Sequence, residues 1–311
     1  MTLTEGHAVL HQAVLGDRLR LALDAPLSRR VLGGDAALAH PALVCDVAIG
    51  QSTLITQRVI GNLFYSGLVL RRAPILGDTL HTTTEVVALK QNRPRAGRPA
   101  TGLAVLRVST VDQEQRPVLD FHRCAMLPLR DPDGATGRAD DPAEFRRELD
   151  PEALRTAVDG WRLDAFRAAA PGEHFADLGP GTVWRIEGGD VVSGATELAR
   201  LSLNVAKAHH DARSNSSGRR LVYGGHTIGL AASQATRSLP NLVTIVAWHG
   251  CEHLGPVFEG DTLYSDLELE RCEPLPGGGG LVHLRSRMRA ERVDGSGQDD
   301  VLDWRFVGVM A

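Results

Sequence analysis

The side chains of this chain that could do chemistry are concentrated in residues 201–228, LSLNVAKAHHDARSNSSGRRLVYGGHTI. His209, His210 and Asp211 are consecutive, Asn204 precedes them, and Gly224 and Gly225 open an apolar segment. An imidazole titrates near neutrality and can take or give a proton. The first N–H groups of a helix have no partner within it, and the helix dipole there favours negative charge. Glycines at such a start allow close approach because they carry no Cβ. One short stretch therefore offers a general acid/base and a set of oxyanion donors. Simpler roles stand beside these. A lone histidine such as His209 is more often a surface or core-edge residue, and the glycine pair could be a helix-opening turn. His210, next in sequence, is expected to point elsewhere. Asp211 could orient an imidazole or cap the following turn. His226, in the first helical turn, could line a pocket or pack.

These residues need elements to hold them. Residues 225–239 read as a helix stopped by Pro240, with small residues (Ala231, Ala232, Ser233, Ala235) on every face, suited to burial against a curved sheet. Strands are expected at 242–248, 262–271, 281–292 and 301–310. The first half shows the same order. A mostly apolar helix at 42–57, weakened only modestly by Gly50, precedes strands at 59–70, 79–90, 103–111 and 118–127. Turn-rich pieces at 72–78, 91–100 and 112–116 separate them. The region up to His40 reads as a strand followed by a loop. Residues 131–141, DPDGATGRADD, read as a polar linker, with a short helix expected near 151–158.

The two halves repeat at one offset of 183 residues. GDTL occurs at 77–80 and 260–263, and Val-Leu-Asp-aromatic at 118–121 and 301–304. Tyr65-Ser66-Gly67 matches Trp248-His249-Gly250. The chain therefore reads as a tandem duplication of a module of about 150 residues. Each copy is one central helix and several long antiparallel strands, which is the logic of a hotdog. The expected fold class is α+β, a double hotdog. Residues 1–130 form a first module, 131–150 a linker and 151–311 a second module carrying the chemistry. Asp78 and Asp261 recur in both copies, which favours a structural role at a strand entrance.

Composition narrows the function classes. Over 311 residues the formal net charge is −4 and no basic block appears, which argues against nucleic acid as a partner. The four cysteines, Cys45, Cys124, Cys251 and Cys272, are scattered and read as reduced thiols. The first residues lack the pattern of a signal peptide, and no apolar run approaches the roughly 20 residues of a membrane span. A cytoplasmic protein is expected, with no membrane partner. His249 and His253 lack metal-ligand spacing, so no metal is assigned. The 277–280 glycine run lacks the context of a phosphate loop and reads as a hairpin tip.

The motifs resemble those of the MaoC-type (R)-specific enoyl-CoA hydratases. Their hallmark is D-x-N-P-x-H-x-D, then a glycine-containing segment before the central helix, then P-V-x-x-G-D-T-L. Here the segments are NVAKAHHD at 204–211, GRRLVYGGH at 218–226 and PVFEGDTL at 256–263. Within that family the chain is similar to the double-hotdog mesaconyl-CoA hydratase (β-methylmalyl-CoA dehydratase) group, through GRRLVYGGH and a first-copy stretch from Asn62 to Asn92. The resemblance covers both copies, roughly 42–128 and 197–311. It implies reversible hydration of an α,β-unsaturated acyl-CoA, with a mesaconyl-like short branched or dicarboxylic acyl group leading. It implies no redox cofactor, the CoA thioester being the substrate. His209 would be the acid/base, Asn204 an orienting group, and the Gly224 and Gly225 amides the oxyanion site. Arg219, Arg220, Tyr223 and His226 would contact substrate or CoA, with Asp211 in support.

The chain departs from the pattern in three places. Asn204 stands where the motif has the aspartate, and an amide cannot take a proton. Ala206 and Lys207 replace the motif's Asn and Pro. In the first copy His209 aligns with Pro26 and Asn204 with Leu21, so that copy would shape the pocket. The rival readings are a dehydratase of carrier-bound acyl chains, a thioesterase on the same fold, and a hotdog protein that binds acyl-CoA without turnover. Pairing of the double module into a homodimer is left open.

Overall fold

The computed structural model describes every residue except Arg98 and Ser216. The first falls in the expected turn-rich piece 91–100 and the second in the 201–228 stretch, so those two positions lie outside the description. The chain opens with three helices, α1 (Glu5–Leu15), α2 (Arg20–Leu23) and α3 (Ala25–Leu32). This corrects the strand and loop expected before His40. The alternation of leucine and arginine at 18–23 suggests a strand, but local capping decides otherwise. Thr4 and His7 form a capping box for α1, and Gly16 ends it in the left-handed conformation. Asp24 caps α3, which has Pro26 in its first turn, and Gly33 closes it.

The central helix of the first half is α4 (Pro41–Gln51), followed by β1 (Gly61–Leu70), β2 (His81–Gln91), β3 (Thr101–Val111) and β4 (Pro117–Pro128). The 131–141 segment has no helix or long strand. It lies against β2, where the Thr136 N–H donates to Gln91 Oε1 at 2.7 Å. Next come α5 (Pro151–Thr156), α6 (Leu163–Ala169), β5 (Val183–Arg185), β6 (Asp190–Val191) and α7 (Ala195–Leu201). All but α5 escaped the sequence reading. The second central helix, α8 (Gly224–Ser238), precedes β7 (Leu242–His253), β8 (Thr262–Pro274), β9 (Gly280–Glu291) and β10 (Gln298–Met310). Among the described residues no helix is long and apolar enough to cross a membrane.

All the strands join one antiparallel sheet in the order β2-β3-β4-β1-β7-β10-β9-β8-β5, with β6 also on β8. The order outward from the centre is the same in both halves: β1, β4, β3, β2 on one side and β7, β10, β9, β8 on the other. At the junction Tyr65 faces Cys251 and Leu68 faces Trp248. Exchanging halves by 183 residues turns the first pair into the second, so a pseudo-two-fold axis passes between β1 and β7. The same offset relates Pro41 to Gly224, the first residues of α4 and α8. The fold is a double hotdog, and its two central helices share one continuous core with the sheet.

The strand-entrance aspartates behave as the repeat implies. Asp78 Oδ2 accepts from the Ile75 N–H at 3.1 Å, and Asp261 Oδ2 from the Phe258 N–H at 3.0 Å. Each is also paired with arginine, Asp78 with Arg72 at 2.9 Å and Asp261 with Arg292 at 2.7 Å.

Glycines allow the helices to pack as closely as they do. A Cβ on Gly229 of α8 would lie 2.5 Å from Leu15 Cδ1 of α1. On Gly50 of α4 it would overlap the Ser202 carbonyl oxygen, because the chain leaving α7 crosses that helix backbone to backbone. The carbonyl cannot rotate away as a side chain could. Gly50→Ala is therefore expected to destabilise the fold by about 1–3 kcal/mol, the usual cost of overpacking, read as a lowered midpoint in urea denaturation.

Candidate active site

The 204–211 segment is a series of tight turns, beginning where Leu203 takes a positive φ of 61°. Asn204 is buried, and its Oδ1 accepts from the Ala206 N–H at 2.9 Å. Its backbone carbonyl accepts from His210 Nε2 at 2.6 Å. Asn204 thus shapes the loop through local bonds, and His210 points back into the loop as expected. Asp211 accepts from the Arg213 N–H at 3.0 Å and pairs with the Arg213 guanidinium. Of its two sequence-level readings, the structure shows the cap.

His209 sits in a short 3₁₀ turn (Lys207–His209) with its ring inward. Its Nδ1 lies 2.9 Å from the Leu221 carbonyl oxygen. A carbonyl only accepts, so Nδ1 carries the proton and Nε2 presents the lone pair. Burial lowers the imidazole pKa to about 4, against the smaller raising effect of the Leu221 carbonyl. His209 is therefore neutral at pH 7. Its ring packs on Tyr223, with centroids 5.6 Å apart.

Tyr223 is the N-cap of α8, and no side chain caps that helix. The Gly224 and Gly225 N–H groups at its start point where no intrahelical acceptor exists. Two neighbours explain why both positions are glycine. A Cβ on Gly224 would lie 2.5 Å from His253 Nε2 of β7, and one on Gly225 would collide with Asp46 Oδ1 of α4 and the Tyr223 ring. His226 is fully buried in the first turn with neither ring nitrogen hydrogen-bonded. Burial lowers its pKa to about 4.

Four further residues lie in this cluster that the sequence did not assign to it. Asp46, the one charge within the apolar run of α4, is buried beside Gly225, with its Oδ2 3.3 Å from His11 Nε2. Burial, then the Asp46 carboxylate, push the Tyr223 hydroxyl pKa well above its usual value. His253 packs edge-on against Tyr65 at 6.1 Å. Arg123 of β4 stands opposite Tyr65 in the sheet. The legible signal was the lone charge in LVCDVAIG, inside an apolar run.

Arg219 and Arg220 are committed to partners within the fold. Arg219 stacks over Phe258 at 4.2 Å and reaches Asp261 at 3.3 Å. Arg220 bonds Thr196 Oγ1 at 3.0 Å and Glu259 at 3.2 Å. Both brace the loop that leads into Tyr223. Among the described residues no group of three or more His, Cys, Asp or Glu side chains is arranged to hold a metal ion.

The mesaconyl-CoA hydratase family profile matches residues 62–279. The chain is 31% identical over 306 residues to β-methylmalyl-CoA dehydratase of Chloroflexus aurantiacus, covering 94% of this chain and 83% of that protein. It is 29% identical over 293 residues to mesaconyl-CoA hydratase of Cereibacter sphaeroides, covering 91% and 82%. Among solved structures, a Mycobacterium tuberculosis protein described as a double hotdog superposes with a TM-score of 0.93 at 51% identity, covering 100% of this chain and 93% of that one.

Burying neutral imidazoles has a consequence for stability. An imidazole in the unfolded chain titrates near 6.5, whereas folded His209 and His226 titrate at about 4. Between those values the unfolded chain binds more protons. The stability is therefore fully present above about pH 6.5 and is lost as pH falls towards 4. The free energy of urea unfolding is expected to fall by roughly 1.4 kcal/mol per pH unit for each of the two histidines across that window. The slope should be shallower in His226→Gln.

Proposed function

The chain belongs to the mesaconyl-CoA hydratase family and is a hydro-lyase that hydrates and dehydrates CoA thioesters, and we propose that His209 and the α8 N-terminus carry out that reaction on a short branched or dicarboxylic α,β-unsaturated acyl group. One observation carries this assignment. A buried imidazole with Nε2 available stands against Tyr223, the residue that leads into an uncapped Gly-Gly helix start.

In the hydration direction, water adds its oxygen to Cβ while His209 Nε2 takes the proton. The double-bond electrons move towards the thioester, whose oxygen gains negative charge. The Gly224 and Gly225 N–H groups and the α8 dipole stabilise that oxygen. His209, now an imidazolium, returns its proton to Cα as the carbonyl re-forms. Water has then been added across the bond, and the reverse sequence is the dehydration. Asn204 acts by holding the 204–211 turns that aim His209. Tyr223 and His226 line the site, Arg219, Arg220 and Asp211 support its loops, and the first half supplies Asp46, Tyr65 and Arg123.

No carboxylate faces Nδ1 among the described residues, so this imidazole is a weaker base than one paired with aspartate. The fixed tautomer and the preorganised donors compensate. The four cysteines are free. We place the reaction in the cytoplasm, with acyl-CoA as the partner.

The test is hydration of crotonyl-CoA, mesaconyl-CoA and a medium straight-chain enoyl-CoA, followed by loss of the conjugated-thioester absorbance. His209→Ala is expected to lower kcat/KM about a hundredfold or more. In the wild type kcat/KM should rise with pH through about 4, as His209 becomes neutral, and then level off. Saturable acyl-CoA binding with no turnover would instead favour the binding-only reading. Gly225→Ala should abolish turnover, because its methyl group collides with Asp46 and Tyr223 at the oxyanion site.

A further inference from the structure

Arg123 is a cation in the interior without a counter-ion. It lies on β4, 3% exposed, opposite Tyr65 of β1. One terminal nitrogen donates to the Ser52 carbonyl at 3.3 Å and to Thr56 Oγ1 at 2.9 Å, both neutral acceptors. Its Nε is buried with no partner. Among the described residues no acidic side chain forms an ion pair with it. Burial lowers its pKa, opposed by Tyr65 and Tyr223. A buried, unpaired charge opposes folding and needs a reason to be there.

The repeat shows that the fold itself does not supply one. The pair Tyr65 and Arg123 in the first half becomes Trp248 and Phe306 in the second, in the same register. Ser52 and Thr56, which hold the guanidinium, become Ala235 and Leu239. Phe306, Ala235 and Leu239 are buried apolar residues, so this corner of the module closes well without polar groups. The polar trio exists only in the half that faces the chemistry.

Its location joins it to the site. The 52–57 segment that holds Arg123 also holds the His209 loop: the Val205 N–H donates to Thr53 Oγ1 and the Lys207 N–H to the Gln57 carbonyl, each at 2.9 Å. Tyr65 beside Arg123 packs on His253, which covers Gly224. Guanidinium donors match a carboxylate in a forked geometry and keep their charge when desolvated.

We infer that Arg123 recognises a free carboxylate on the acyl group and makes the site select dicarboxylic over monocarboxylic enoyl thioesters. The inference rests on the hydration reading and deepens it. The partner missing from Arg123 is then supplied by the substrate, and the carboxylate's own desolvation is offset only there.

The experiment compares two thioesters that differ only at that group. One is methylfumaryl-CoA (the mesaconyl thioester) and the other is 2-methylbut-2-enoyl-CoA, in which a methyl group replaces the carboxylate. The wild type is expected to prefer the first in kcat/KM by about a hundredfold or more, as for a buried charge pair. Arg123→Met should collapse that preference mainly through KM, and Arg123→Lys should restore part of it. Equal use of both thioesters by the wild type, or an unchanged preference in Arg123→Met, overturns the inference. If Arg123→Met does not fold, the wild-type preference and the Arg123→Lys ratio decide. If the wild type hydrates neither, the hydration reading fails. Calorimetric binding of the saturated pair, methylsuccinyl-CoA and 2-methylbutyryl-CoA, then decides Arg123. Tighter dicarboxylic binding that Arg123→Lys weakens supports the inference, and equal binding of the two overturns it.

Discussion

The antiparallel pairing of β1 with β7 is the constraint on which the rest depends. It fuses two half-sheets into one and places the central helices α4 and α8 in contact, in one core with the sheet. Only in that arrangement can Asp46, on α4 of the first half, lie against Gly225, at the start of α8 in the second. Only there does Tyr65 of β1 meet His253 of β7. The candidate site is thus a product of the junction, with residues from both modules although its motif lies in one.

A duplicated fold gives each half the same packing problem, and differences between the halves therefore expose what packing does not require. The strand-entrance aspartates are kept in both copies because each ties down a turn and an arginine. The residues around α4 and β4 are not. Asp46 faces Gly229 across the repeat, and Arg123 faces Phe306. Arg123, Ser52 and Thr56 are polar in the first half where the second has Phe306, Ala235 and Leu239, while His226 and His253 are polar in the second half where the first has Leu43 and Leu70.

The departure at Asn204 has a physical sense within this geometry. An aspartate at that position would be a buried charge among backbone groups. The amide oxygen instead closes a turn onto Ala206, and the Asn204 carbonyl holds His210. His209 is oriented by a backbone carbonyl at Nδ1, which sets the tautomer without adding charge. The cost is basicity, since burial is left to dominate the imidazole's pKa. In the proposed reaction the fixed N–H donors at the start of α8 carry more of the transition-state stabilisation, since they need no reorganisation as charge develops.

Much of this architecture was legible in the sequence. The constant offset of 183 residues, the two small-residue or apolar helices and the eight long strands are local patterns, and local patterns survive translation into structure. The Gly-Gly helix start followed from residue type and spacing, and the place of His209 at the site was an expectation of the motif resemblance. The short capped helices before His40 carried their own signals in Thr4, Asp24 and Gly33, which the leucine alternation obscured. By itself, then, the chain determines its modules, their repeat and the stretch that holds its candidate acid/base, because each of these is written in short local patterns. Only the tertiary structure decides that Arg219 and Arg220 meet acidic partners in the fold, that Asp211 is a cap, and that Asp46, Tyr65, Arg123 and His253 gather around the start of α8. Those residues are far apart in sequence, and a charge inside an apolar run acquires its meaning from what the opposite half of the sheet brings against it.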